Sequence, residues 1–291
     1  MIKAVQQFQL GTVLNTKEQV LATFERMKAA GYDGIELCSF MIHPTPFVVK
    51  LLTRAAGMPV GSGGKLPWTE LVRESGMKVP ALHTYLNSLE EDAKAVAEEV
   101  HSFGCDRVVM TGMYRFDYTK KENILELAKR LNAVGQQLQA EGVQLLYHNH
   151  NAEFLPVEPG VSAFRLLQRE TDAEYVNFEF DSYWCVDAGA DPLSEMKRLG
   201  DRLKLWHIND RGCRKGGMTP IYTMDSMELG FGTMNLEAMA EQAKVAGVQA
   251  VVLESHKNWV DNDPVKSLEV SAKFLNRVFR EDLDDGTGTT S

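Results

Sequence analysis

The sequence predicts an α/β protein folded as a (β/α)8 TIM barrel, with a single domain over residues 1–282. Eight short apolar segments alternate along the chain with eight longer amphipathic segments, an order typical of parallel strands joined by helices. The chain has 291 residues, and one such barrel commonly takes about 250. The segment after the first strand, "GTVLNTK", contains one glycine, which disfavours an open, doubly wound sheet with a glycine-rich phosphate turn.

The eight predicted strands are short and rich in β-branched or aromatic residues. They are 2–10, 34–39, 79–84, 106–112, 143–149, 175–181, 203–208 and 250–255. Parallel strands in a barrel bring their carboxyl ends to one mouth, where catalytic side chains lie. Residues at the ends of these segments are therefore the first candidates for a functional site.

The segments between the strands show helical periodicity. Residues 17–30 repeat apolar side chains at helical spacing and end before Gly31, a typical C-terminal glycine. Ser88, followed three positions later by Glu91, indicates a capping box at the start of a helix over 88–103. The other predicted helices are 66–75, 120–141, 161–170, 192–199, 235–246 and 263–280.

Two predicted connections are long, 40–65 and 211–232, and both follow strands. Long ordered loops on the carboxyl face of a barrel commonly cover or form a binding site. The polar tail 283–291 is predicted to be disordered. Four widely spaced cysteines without a CxxC pair predict reduced thiols and no structural zinc.

Charge and composition limit the partners of the chain. The formal net charge is −9, and a chain without a Lys/Arg cluster is a poor match for the phosphates of nucleic acid. No apolar run approaches the roughly 20 residues of a membrane span, and the N-terminus lacks the pattern of a signal peptide. We therefore expect a cytoplasmic protein that acts on a small molecule, with neither nucleic acid nor membrane as partner. Assembly into a homo- or hetero-oligomer stays open.

Five of the seven histidines fall near the carboxyl ends of predicted strands. They are His83, His148, His150, His207 and His256. In the segment "YHNHN", alternation along a strand directs His148 and His150 to the same face. Histidines with unrelated structural roles would not be sorted in this way, so we expect these imidazoles to meet at the barrel mouth.

Carboxylates at strand ends predict a metal site among these histidines. Three buried negative charges repel one another, and a divalent cation removes that cost. The predicted ligands are Glu153, Asp181, His207 and Glu254. Oxygen-rich ligation with an imidazole favours one Mn²⁺, with Mg²⁺, Co²⁺ or Zn²⁺ as alternatives. The place of Glu153 stays open, because His148 and His150 are alternative ligands from the same strand.

The segments "YHNHNAEF", "FEFDSYW", "LWHIND" and "VVLESH" resemble the sugar phosphate isomerase/epimerase family, which has a xylose isomerase-like barrel. Its relatives include ketose 3-epimerases, inosose dehydratases and lyases that cleave 3-keto-glycosides or C-glycosides. The resemblance extends over about residues 2–280. It implies a single metal site whose ligands match the four residues above. Trp184 occupies a position where the epimerases often have a histidine.

The resemblance implies proton abstraction next to the carbonyl of a sugar or keto-sugar. Return of the proton gives epimerisation or isomerisation, and loss of a β-substituent gives dehydration or glycoside cleavage as the alternative reaction. The expected catalytic residues are His148, His150, Glu153 and Glu254. The expected substrate contacts are His83, Trp184, Asn209, Asp210 and His256; aromatic faces such as that of Trp184 commonly stack on sugars.

Two other functions remain as rivals. A metallo-endonuclease with the same barrel would need more metal ligands and a basic surface for DNA, which the charge of −9 disfavours. A non-catalytic sugar-binding chain, or a partner subunit of a two-chain lyase, would need no stoichiometric metal. Metal content therefore separates this second rival from an enzyme.

Overall fold

The computed structural model describes residues 1–44, 63–113, 115–215 and 222–280. Eight parallel strands close into a barrel in the order of the chain, with the last strand paired to the first. The barrel strands are β1 (Ile2–Gln6), β2 (Gly34–Cys38), β3 (Leu82–Thr84), β4 (Arg107–Met110), β5 (Gln144–His148), β8 (Val176–Asp181), β9 (Leu203–Ile208) and β12 (Ala250–Leu253). The predicted fold class is confirmed.

Helices surround this barrel and connect its strands. Within the described ranges they are α1 (Lys17–Ala30), α2 (Ser39–Ile42), α3 (Trp68–Ser75), α4 (Leu86–Glu91), α5 (Ala93–Ser102), α6 (Lys121–Ala140), α7 (Ala163–Glu170), α8 (Ser182–Asp187), α9 (Pro192–Leu199), α10 (Leu236–Val245) and α11 (Pro264–Val278). The bounds of α1 are those predicted. The Thr16 side chain accepts a hydrogen bond from Gln19 N at its start, and Gly31 ends it at a φ of 100°, a left-handed conformation that favours glycine.

Two elements differ from their prediction in a way that local hydrogen bonds or turns explain. The first strand ends at Gln6, because the chain turns into a 3-10 helix over Gln7–Leu10. The helix predicted over 88–103 is two helices that break at Asp92, whose side chain accepts a hydrogen bond from Ala95 N at 2.9 Å. The capping box is therefore wrong: the aspartate caps the second helix, and Ser88 lies inside the first.

The interior of the barrel is layered. Ala81, Val109, Leu146, Leu205 and Ala250, each 0% exposed, form an apolar base. Three histidines lie two residues beyond members of this base on their own strands, at positions 83, 148 and 207. Side chains two residues apart share a face of a strand, so the pleat that buries the base also stacks imidazoles above it, towards the mouth.

Two hairpins lie beside the barrel: β6 (Pro156–Glu158) with β7 (Val161–Ser162), and β10 (Asp210–Arg214) with β11 (Thr223–Met227). The second hairpin belongs to the predicted connection 211–232, of which 216–221 lies outside the described residues. So do 45–62 of the other long connection and the predicted tail 283–291. All four cysteines are free thiols. No helix among the described residues has the length and apolar character to cross a membrane.

Candidate active site

The structure brings the five predicted histidines together at the carboxyl ends of the strands. The ring centroids of His148 and His207 are 4.7 Å apart, and those of His83 and His148 are 5.4 Å apart. The ring of His150 follows at 5.0 Å from that of His148. His256 Nε2 lies 3.4 Å from Glu254 Oε1, so the fifth imidazole borders the same cluster.

Four side chains at the mouth form a group that suits a metal ion. They are His148, Asp181, His207 and Glu254, which offer one ligand atom each, all within 4.8 Å of one another. His207 Nδ1 lies 2.8 Å from Glu254 Oε2 and 3.9 Å from Asp181 Oδ2. We call these four residues the mouth group.

Two carboxylates beneath the mouth group orient its histidines. Glu36 Oε2 lies 2.7 Å from His207 Nε2, and Glu179 Oε2 lies 3.0 Å from His148 Nδ1. A neutral imidazole that donates a hydrogen bond to such a carboxylate keeps a lone pair for a cation on its opposite ring nitrogen, which is Nδ1 in His207 and Nε2 in His148. This is the usual arrangement behind a metal-binding histidine.

His83 is predicted as a substrate contact, and the structure encloses it beside Glu36 and Glu179. Its Nε2 lies 2.9 Å from Oε2 of both Glu36 and Glu179, and the residue is 3% exposed. His83, His148, Glu179 and His207 form a second group of potential metal ligands that overlaps the mouth group. Glu254, at 9% exposed, is the most accessible member of the two groups, so the mouth group is the better site for a cation that meets a substrate.

Burial and charge oppose each other in this site. Burial alone would lower the pKa of His83, but the charges of Glu36 and Glu179 outweigh it and raise that pKa to about 10. Burial, reinforced by the charge of Glu254, raises the pKa of Asp181 well above its ordinary value. A divalent cation beside Asp181 and Glu254 would offset both the burial of the Asp181 carboxylate and its repulsion by Glu254. The donor set therefore fits a metal by its chemistry as well as by its spacing.

Glu153 is predicted as a metal ligand, and the structure does not bring it to the mouth group. The chain turns away after His148 through a 3-10 helix at Ala152–Phe154. Glu153 Oε1 accepts a hydrogen bond from Tyr147 OH at 2.8 Å, and Oε2 accepts one from His150 N at 3.0 Å. Both oxygens are thus engaged, and His148 takes the place of this glutamate in the group.

His150 and His256 flank an aromatic ring beside the mouth group. The ring of Trp184 lies 5.8 Å from His150 and 6.2 Å from His256, measured between centroids. The end of β4 approaches His150 closely: a Cβ on Gly112 would lie 2.8 Å from His150 Nδ1. The observed position of the His150 imidazole therefore requires a glycine at position 112.

Asn209 and Asp210 are predicted as substrate contacts, and their side chains are used within the chain. Asn209 Nδ2 donates to Ser226 Oγ at 3.0 Å. The Asp210 carboxylate, 1% exposed, accepts four backbone hydrogen bonds, from the N–H groups of residues 211, 230, 232 and 234. Asp210 therefore fixes the loop before α10, and its contact with a substrate stays a prediction.

Replacing Asp210 with alanine should lower the free energy of unfolding by about 2 kcal/mol or more, because several buried N–H groups lose their acceptor. Urea unfolding followed by circular dichroism measures the change. A matched control is Asp106→Ala, whose side chain is 63% exposed beside Arg107 and should cost less than about 0.5 kcal/mol. Equal losses in the two variants would contradict the structural role of Asp210.

Glu36 and Glu179 contact the histidines of the site, and the predicted site leaves them out. Both are 0% exposed. Glu179 lies two residues before Asp181, so alternation along β8 already signals a carboxylate on the same face. Glu36 interrupts the apolar segment "GIELC", and a charge inside a buried strand requires a partner.

A closed barrel with a mixed imidazole–carboxylate group at its mouth defines the class of protein. The model of the xylose isomerase-like TIM barrel family matches residues 24–278. The chain belongs to this family.

Individual relatives are distant. An inosose dehydratase of Clostridium botulinum (strain Alaska E43 / Type E3) is 26% identical over 203 residues, which cover 67% of this chain and 64% of that protein, slightly under two thirds of its length. A sugar phosphate isomerase/epimerase from Parabacteroides distasonis ATCC 8503 superposes with a TM-score of 0.74 at 21% identity, covering 96% of this chain and 94% of the other. The IolI protein, solved with a zinc atom, has a TM-score of 0.66 at 16% identity and coverages of 96% and 98%.

Proposed function

We propose that this chain is a divalent-metal-dependent enzyme that removes the proton next to the carbonyl of a sugar or keto-polyol. The observation that carries the proposal is the mouth group, whose ligand atoms lie within 4.8 Å of one another. The names of the relatives, inosose dehydratase and sugar phosphate isomerase/epimerase, point to sugars and cyclic polyols as the substrate class.

The mouth group would hold the cation. Two imidazoles and two carboxylates suit Mn²⁺, with Mg²⁺, Co²⁺ and Zn²⁺ as alternatives; the zinc of the IolI neighbour supports a metal in this kind of barrel. When bound, the cation would polarise the substrate carbonyl and make the adjacent C–H more acidic. Glu36 and Glu179 would keep the two imidazoles in their binding orientation.

We assign the proton abstraction to His150. Burial, together with the charge of His148, lowers the pKa of His150 to about 4, so its imidazole is neutral at pH 7, the form in which a base acts. His256, on the other side of Trp184, is assigned the return of a proton to substrate. The Trp184 ring offers an apolar face to the C–H surface of a sugar.

The other predicted catalytic residues receive different roles in this proposal. His148 and Glu254 act as metal ligands, since both belong to the mouth group. Glu153 is a positioning residue that holds the His150 backbone through its N–H. The base, one metal ligand and the positioning glutamate then come from one segment, 148–153.

Two reactions share this chemistry. Return of the proton to carbon gives epimerisation or isomerisation, the reaction class predicted from the sequence. Loss of a β-hydroxyl gives dehydration, and the inosose dehydratase relatives favour this second candidate. For dehydration, His150 would take the proton and His256 would protonate the departing hydroxyl.

The test is a screen of ketoses, keto-inositols and 3-keto-glycosides with metal-loaded protein in D₂O. We expect metal-dependent deuterium incorporation next to the carbonyl of one substrate class, detected by NMR. Mass spectrometry of the product separates the two reactions, since dehydration removes one water and epimerisation leaves the mass of the carbon skeleton unchanged apart from deuterium.

Two results, one from this screen and one from a separate assay of DNA cleavage, would overturn the proposal. Stoichiometric sugar binding without exchange or product, in protein that holds one metal per chain, would indicate a binding chain. Cleavage of DNA at abasic sites without exchange on any sugar would indicate the endonuclease.

A further inference from the structure

A cavity lies on the outer wall of the barrel, away from the candidate active site. Its volume is about 430 Å³, and it runs between α7, α9 and the 3-10 turn Gly200–Arg202. Four arginines line it, at positions 165, 169, 198 and 202. The last of these precedes the amino end of β9, whereas His207 lies near the carboxyl end of that strand. None of the four belongs to the candidate active site.

Carboxylates accompany the guanidinium groups of this arginine cavity but do not use all of their N–H donors. Glu195 Oε1 lies 2.7 Å from Arg165 Nη2, and Glu195 Oε2 lies 3.5 Å from Arg198 Nε. Glu170 Oε1 lies 2.9 Å from Arg169 Nε. The charges of Asp172 and Asp201 act on Arg202, so the cavity offers a ligand its remaining N–H donors rather than an excess of positive charge.

One arginine is fixed in place at the base of the cavity. Arg202 Nη1 donates to Gln168 O at 2.6 Å, and Nη2 donates to Thr171 Oγ1 at 2.7 Å and Val176 O at 2.8 Å. Arg202 Nε and Gln168 Nε2 are buried donors without a hydrogen-bond partner among the described residues. Both atoms are enclosed, so Arg202 forms a rigid part of the cavity wall, and the donors that a ligand can reach belong to the other three arginines.

The other guanidinium groups are accessible from solvent. The side chains of Arg165, Arg169 and Arg198 are 39%, 55% and 49% exposed. Each uses its Nε on a glutamate, which leaves at least one terminal nitrogen for another acceptor. A ligand that enters the cavity thus meets several planar donors at once.

We propose that the arginine cavity binds a small oxyanion of the phosphate monoester or dicarboxylate type. Guanidinium donors pair with the oxygens of phosphate and carboxylate in bidentate geometry. A volume of about 430 Å³ lies within the range of small-molecule sites. The site is separate from the metal centre and needs no metal.

Isothermal titration of the metal-loaded protein with inorganic phosphate, and separately with malonate, at constant ionic strength tests this site. We expect saturable binding that weakens at least about tenfold in the double variant Arg169→Gln/Arg198→Gln. Tighter binding of phosphate identifies a phosphoryl group as the ligand moiety, and tighter binding of malonate identifies a dicarboxylate. Melting temperatures check that the variants are folded, and Arg198→Gln alone serves if the double variant is not.

The matched control is Arg130→Gln/Arg277→Gln, which removes the same charge from two surface ion pairs with Glu90 and Glu237. It should bind both probes like the natural chain, and so should His148→Ala. Absence of saturable binding, equal weakening in the two double variants, or loss of binding in His148→Ala would overturn the proposal.

Discussion

Replacing His148 with alanine is expected to weaken divalent-metal binding by more than about 100-fold and to lower kcat/KM by at least about 100-fold. Replacing a residue that only orients a metal ligand already lowers metal affinity by about 10–100-fold, and replacing the ligand itself lowers it further. The loss of a preorganised charge beside the reacting carbonyl accounts for the slower reaction. Metal content by mass spectrometry and titration of the metal-free protein measure the first effect.

The matched comparison is Glu153→Gln, because the sequence alone assigns the same ligand place to Glu153. The amide keeps the shape of the side chain and still accepts the hydrogen bond from His150 N, so this variant should keep one metal per chain. Its kcat should fall, because an uncharged acceptor holds the His150 backbone less firmly than a carboxylate, while its metal affinity stays unchanged, as expected for a positioning residue. Full metal content in His148→Ala together with metal loss in Glu153→Gln would reverse the assignment of these two residues.

Replacing His150 with glutamine is expected to lower kcat by about 10²–10⁴-fold, the usual contribution of a general base. Metal content should stay at one per chain, because His150 lies outside the mouth group. The rate of deuterium exchange on the substrate found in the screen measures the effect directly. KM should change little, since the substrate would still meet the cation and Trp184.

His101→Gln is the control for this variant. His101 is an exposed histidine whose ring nitrogens lie near Cys105 O and Glu141 O, and its loss should leave exchange unchanged. Exchange at the natural rate in His150→Gln would contradict the assignment and move the base to another mouth residue. His256, which lies beside Glu254, would be the next residue to replace.

The fold was predictable because its signal is repeated eight times. Each strand alternates with a helix, and an error in one element does not change the architecture. The errors that occurred are local: the end of β1 and the break at Asp92. Both depend on one hydrogen bond or one turn. An N-terminal cap contributes only about 1 kcal/mol to helix stability, so a small difference in free energy decides whether a helix continues or breaks.

The site was predictable as a set of residue types at strand ends, and less so as a set of contacts. His148, Asp181, His207 and Glu254 lie where strand alternation puts them. Asp210 follows the same strand as His207, yet its carboxylate turns to the backbone of residues 230–234. Nothing in the local sequence distinguishes a carboxylate that faces the mouth from one that caps a loop.

The sequence by itself determined the barrel, the mouth at the carboxyl ends of the strands and the imidazole and carboxylate residues gathered there. These follow from the period-two pattern of strands and from the parallel order of the chain. Only the tertiary structure decided that His148 joins Asp181 and Glu254 while Glu153 holds His150. That choice depends on where a 3-10 turn directs the chain after β5 and on which buried oxygens already have donors, and both are set by neighbouring strands distant in sequence.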